Sequence, residues 1–118
     1  MGYTYGEVED AIMAVLKVPP HEREKITTRI RYFRDIGLSL PNPGSGIHVR
    51  YTIEQACEIL IATELLRFGI TPRRALKMMH AGLMTNHIEI KTQFSKLEIS
   101  VQSALSALTA HFSLKKAA

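Results

Sequence analysis

Arg31-Tyr32-Phe33-Arg34-Asp35-Ile36-Gly37-Leu38 and, further on, Arg50-Tyr51-Thr52-Ile53-Glu54-Gln55 are the stretches on which the fold turns. The first reads as a basic, aromatic helix that stops at a glycine, a residue suited to the left-handed conformation that closes a helix. The second reads as the end of a basic, aromatic strand running into a capped helix. Between them Pro41-Asn42-Pro43-Gly44-Ser45-Gly46 has turn chemistry. Helix, glycine-rich hairpin, basic strand end and new helix, in that order, predict a winged helix.

Working outward, the helix that ends at Ile36 is expected to begin near Glu22, after Pro20, with Ile26, Ile30, Phe33 and Ile36 inward. A first helix is expected after Thr4 or Gly6, with Glu7, Glu9 and Asp10 in its first turn and Val8, Ile12, Val15 and Leu16 as its buried stripe. Pro19-Pro20 ends it. Ile47-His48-Val49-Arg50-Tyr51 alternates like a half-buried strand, the wing. Thr52 with Gln55 forms a capping box for a third helix that runs to Gly69. Its apolar face is read as Ile53, Ala56, Ile59, Leu60, Thr63 and Leu66. Thr71-Pro72 opens a fourth helix, carrying Ala75, Leu76 and Met79 and stopping near Gly82.

The tail carries two competing signals. Ile88-Glu89-Ile90-Lys91 alternates like a strand. Ile90, Phe94, Leu97, Val101, Leu105, Leu108 and Phe112 step by three and four, which favours one amphipathic helix from roughly Lys91 to Ser113. The expected architecture is therefore mostly α: residues 1–82 as a winged helix-turn-helix domain, and 83–118 as a carboxy-terminal dimerisation helix. Its seam is Phe94, Leu97, Val101, Leu105, Leu108 and Phe112.

Composition sets the class. The chain has 118 residues, 46% of them hydrophobic and 22% charged, which suits one globular domain. No signal peptide and no apolar run of membrane-spanning length is present, and the lone Cys57 excludes an internal disulfide and suits a cytoplasmic location. The net charge of +4 is unevenly spread. Residues 21–50 hold six bases against three acids, 51–66 three acids and no base, and 67–77 four bases and no acid. Two basic blocks flanking an acidic one are compatible with nucleic-acid binding.

In a helix-turn-helix the amino-terminal part of the second helix meets base edges in the major groove. His21, Arg23, Lys25, Thr27 and Thr28 occupy that part here. Arg29, Arg31, Tyr32 and Arg34 lie further along, where phosphate contacts position a protein without reading sequence. His48, Arg50 and Tyr51 on the wing would reach flanking backbone. The bland alternative is that the arginines only solvate a helix face.

Arg31-Tyr32-Phe33-Arg34-Asp35-Ile36-Gly37-Leu38 resembles the Arg-Tyr-Tyr-x-x-x-Gly-Leu signature of MerR-type transcription regulators. Gly46, Arg50-Tyr51 and the helix from Thr52 to Phe68 are similar to the family's wing, Arg-Tyr pair and following helix. Leu65-Leu66-Arg67-Phe68-Gly69-Ile70 resembles its next turn, and Tyr5-Gly6-Glu7-Val8 its opening Ile-Gly-Glu-Val. The resemblance covers about residues 3–80. The segment from Met13 to Lys25 is longer than the family's first turn, and the metal-sensing cysteines of some relatives are missing. The resemblance implies Arg31, Tyr32 and Arg50 on DNA backbone, with Arg73 and Arg74 adding phosphate contacts. It also implies a homodimer acting as a transcription regulator or, like excisionase-like relatives in phages and mobile elements, as an architectural factor, with RNA polymerase a further partner.

Other chemistry is sparse. His80, His87 and His111 lack metal-ligand spacing, so no metal is expected, and no cofactor either. Phosphate loops, nucleophile elbows and paired carboxylates in an apolar setting are missing, which points away from an enzyme. The alternative of a different class is a protein-interaction module, an antiactivator or assembly factor pairing through the tail helix.

Overall fold

A computed structural model describes residues 2–38 and 50–117, with side chains through Leu114. The expected wing turn at Asn42 to Gly46, the strand residues Ile47 to Val49 and the candidate contact His48 lie outside the described residues. Within them the chain is mostly helical, with a two-stranded antiparallel hairpin.

Helix α1 spans Tyr5–Leu16. Thr4 caps it: the Glu7 amide donates to Thr4 Oγ1 at 3.1 Å and the Thr4 amide to Glu7 Oε1 at 2.9 Å. Two of the orphan donors at the helix start are thereby satisfied reciprocally. After Pro19, a single 3-10 turn over Pro20–Glu22 leads into α2, Arg23–Ile36. Ile26, Ile30 and Phe33 form its buried stripe, and Gly37, at φ 127°, closes it. The chain then doubles back, the Leu38 amide donating to the Phe33 carbonyl at 2.9 Å.

Where the described residues resume, Tyr51 pairs with Tyr3 through two backbone hydrogen bonds of 2.8 Å. Helix α3 follows over Ile53–Arg67, capped by the expected Thr52–Gln55 box. It is the central helix, packing against α1, α2, α4 and α5 (Val101–Ala117). Cys57, Ile61, Ala62 and Leu65 are buried along with the expected Ala56, Ile59, Leu60 and Thr63, so it is apolar nearly all round, as a helix enclosed by others must be.

Gly69, at φ 101°, turns the chain, and α4 runs over Pro72–Thr85 from the N-cap position Thr71. It continues past Gly82, where it was expected to stop. A side chain there would collide with Ile88, so this glycine marks a close approach of α4 to the following strand. The helix ends instead at Asn86, in left-handed conformation at φ 61°.

The tail departs most from expectation. Residues 91–100 do not join the helix. β1 (His87–Lys91) and β2 (Lys96–Ser100) form an antiparallel hairpin, in register Ile88 to Ile99 and Ile90 to Leu97. Both strands alternate apolar inward and charged outward, and this period-two pattern outweighs the coincidental spacing of three and four. α5 starts at Val101 and packs on α1 and α3. Of the expected seam, Leu108 is fully buried and Phe112 nearly so, both in the core of this chain, and Phe112 stacks on Tyr3 with ring centroids 3.8 Å apart. Val101 and Leu105 are half-buried against that core, Leu97 lies on β2, and Phe94 stands bare in the hairpin turn. The division at residue 82 therefore falls inside α4, and Ile88, Leu108 and Phe112 share one hydrophobic core with Val8, Ile30 and Ile59.

Candidate nucleic-acid interface

The face of α2 opposite Ile26, Ile30 and Phe33 is exposed and carries Lys25, Thr28, Arg31 and Tyr32, with Glu24 and Asp35 among them. Tyr32 is 45% exposed despite its size. Among the described residues no acid pairs with Arg31, whereas Lys25 stands 3.8 Å from Glu22. Arg29 and Arg34 are half-buried on the flanks, and Arg34 lies near enough to Tyr51 to act against the rise that burial imposes on that phenol. At the head of α2, His21, Thr28 and Arg31 join Pro20, Arg23 and Thr27 around an open polar depression of about 540 Å³.

Two of the expected base-reading residues are engaged inside the molecule. Glu9, 4% exposed on α1, accepts a hydrogen bond from Arg23 Nε at 2.5 Å and another from Thr27 Oγ1 at 2.7 Å. Arg23 also reaches Asp10 at 2.6 Å. Asp10 first and Glu9 second keep the Arg23 pKa above its ordinary value. Burial, reinforced by the Glu9 carboxylate, pushes the neighbouring Tyr5 phenol up to about 12. A buried carboxylate needs such partners, since taking a charge out of water is costly unless it is paired. The network fixes the angle of α2 on α1. Glu9 is the residue that sequence reasoning missed. It reads as one of three acids in a helix start, and its inward position beside Val8 and Ile12 was the available signal.

Tyr51 is likewise a core residue, 1% exposed, so its ring is not at the surface. Its pairing with Tyr3 fixes the backbone from which exposed Arg50 projects. Arg73 and Arg74 are exposed at the start of α4, which packs against α2, and Lys77 follows one turn later. Arg67, from the same basic block, is used internally: its Nη1 donates to the Leu16 carbonyl at 2.8 Å, satisfying an orphan acceptor at the end of α1.

Elsewhere the chemistry is quiet. The buried Cys57 thiol is pushed up to about 11, by burial first and the Glu58 and Glu54 carboxylates second, which leaves it protonated and unreactive at neutral pH. On the hairpin, ligand atoms of His87, Glu89 and Glu98 lie within 4.8 Å of one another. The Lys96 ammonium, 2.6 Å from Glu98 and 3.5 Å from Glu89, supplies the positive charge that this trio attracts. Among the described residues no helix is long and apolar enough to cross a membrane. Compared with protein-family models, with curated proteins and with solved structures, the chain matches none.

Proposed function

We propose that this chain is a winged helix-turn-helix protein of MerR type that binds double-stranded DNA as a homodimer and regulates transcription or shapes DNA architecture. The observation that carries the reading is the solvent face of α2. Arg31, without an acidic partner among the described residues, stands there with exposed Lys25, Thr28 and Tyr32, on a helix whose opposite face is locked into the core. An unmatched guanidinium on a rigid helix suits phosphate contacts, which supply most of the affinity for DNA. Arg50, held beside the Tyr3–Tyr51 pairing, and Arg73 and Arg74 on α4 extend the positive surface. Arg23 and Thr27, bound to Glu9, orient α2, so base reading falls to His21, Lys25 and Thr28. A two-fold symmetric protein implies an inverted-repeat site, and RNA polymerase remains the further partner of a protein acting at promoters.

The test is titration of a mixed-sequence duplex across a salt series, followed by selection from a random duplex pool. The parent's affinity should fall steeply with salt. Arg31→Ala should weaken binding roughly tenfold on every sequence and reduce the salt slope by about one phosphate. It should leave stability within about 0.5 kcal/mol, as expected of an exposed position. Parental affinity in both Arg31→Ala and Arg50→Ala would sink this assignment.

A further inference from the structure

Self-association needs a surface, and the tail's apolar seam does not offer one, because Leu108 and Phe112 are spent on the chain's own core. The hairpin does. Its turn is closed by the Thr92 amide donating to the Ser95 carbonyl at 2.8 Å and the Ser95 amide donating to Thr92 Oγ1 at 3.0 Å. The two hydroxyls lie 2.9 Å apart. This ordered turn holds Phe94 out into solvent, 91% exposed. A phenyl ring is the kind of side chain whose burial dominates interface energetics, and none of the described residues covers it.

Under β2, the strand that leads away from this turn, an apolar groove of about 270 Å³ opens between α1, α3 and α5, lined by Val15, Leu16, Leu60, Leu97, Ala104 and Ala107. A cavity of about 150 Å³ already admits a benzene ring. Glu64 and Glu98 also border this groove, whereas Lys91 and Lys96 stand at the two ends of the turn that carries Phe94. We propose that two copies of this chain pair through reciprocal insertion, the Phe94 ring of each entering the Val15–Leu60–Leu97–Ala104 groove of the other. Three features converge on a second copy as the occupant. The groove is large enough for the ring. The basic flanks of the turn match the acidic border of the groove. Phe94 and one wall of the groove, Leu97 and Ile99 on β2, belong to the same hairpin, and an isologous two-fold interface requires both halves of the contact on a single patch. The border carboxylates already hold cations of their own chain, Glu98 with Lys96 and Glu64 with Arg67, but partly exposed pairs of that kind contribute little, so exchanging partners costs little.

The inference rests only on the dimeric part of the reading above, and sedimentation velocity of the full chain tests it without DNA. Phe94→Ala removes the knob, and Ser103→Arg fills the groove from an exposed lining position. The parent should sediment as a dimer in the micromolar range, and each variant as a monomer with an unchanged circular dichroism spectrum. An equimolar mixture of the two variants should recover part of the dimer, because one intact insertion survives in each mixed pair. A parent that stays monomeric, or a Phe94→Ala protein that dimerises like the parent, would overturn the proposal. Titrating a duplex with Phe94→Ala separates the two readings: a monomer that still binds with a steep salt dependence leaves the DNA assignment standing on its own.

Discussion

Helix α2 and the β1–β2 hairpin are both built from apolar residues on one side and charges on the other, yet their charges are handled differently. On the outer face of the hairpin Glu89 lies opposite Glu98 and Lys91 opposite Lys96, a register that places like charges directly across from each other. Such pairs destabilise a sheet. Here they are neutralised within the hairpin, by Lys91 with Glu89 at 3.4 Å and Lys96 with Glu98 at 2.6 Å. On α2, Arg31 has no acidic partner among the described residues. Charge matched inside the chain serves folding; charge left unmatched on a rigid face is available to an external anion. In the pairing proposed above the hairpin contributes chiefly its uncharged tip, Phe94, with Lys91 and Lys96 at its flanks.

Whether the tail belongs to the fold at all is decided at Leu108. Leu108 lies on α5 with no exposed surface, and α5 packs on α1 and α3. Leu108→Ala should cost about 3 kcal/mol, the range for emptying a closed core site. Denaturant unfolding at several protein concentrations checks this. A loss that grows with dilution would return Leu108 to an intermolecular seam; a loss independent of concentration keeps it in the chain's own core.

A smaller effect tests how the hairpin is held. Gly82 lets α4 approach Ile88 so closely that an added Cβ would overlap its side chain. Gly82→Ala improves helix propensity by about 1 kcal/mol, yet overpacking costs about 1–3 kcal/mol. Net destabilisation of roughly 1 kcal/mol is expected, with amide exchange accelerating in 87–91 before it does in α2. Stabilisation by the same substitution would show that Ile88 yields freely and that the hairpin is only loosely seated.

Local signals along the chain suffice where one residue and its near neighbours decide the outcome. Thr52 with Gln55, Gly37 and Gly69 mark the ends that the sequence assigns to them, and of the two expected starts of α1, Thr4 and Gly6, it is Thr4 that caps the helix. Periodicity misleads in the tail because Ile90 and Leu97, seven residues apart, satisfy a helical repeat and a cross-strand pair equally well. The turn at Thr92–Ser95 decides between them through side-chain hydrogen bonds that periodicity does not register. Within the candidate site, the exposure of Lys25, Thr28 and Arg31 follows from their spacing against Ile26, Ile30 and Phe33. The diversion of Arg23 and Thr27 does not follow from spacing, because their partner Glu9 sits 14 and 18 residues away on another helix.

That diversion gives the smallest and most discriminating prediction. If Arg23 and Thr27 belong to the α1–α2 contact, Glu9→Gln and Arg23→Ala are coupled in stability. If Arg23 instead serves DNA, its loss changes affinity and leaves folding alone. Glu9 is almost fully buried, but Arg23 is nearly half exposed, so solvent screening discounts the pair. A coupling of about 1 kcal/mol is expected from the double-mutant cycle in denaturant. In the salt series, Arg23→Ala should leave the slope unchanged while Arg31→Ala lowers it. The contrast has a physical origin: a guanidinium already hydrogen-bonded to two carboxylates has little field left to displace counterions from a phosphate, and one facing solvent has all of it. Zero coupling together with a lowered slope in Arg23→Ala would move this arginine from the scaffold to the interface and make the head of α2 a second cationic contact.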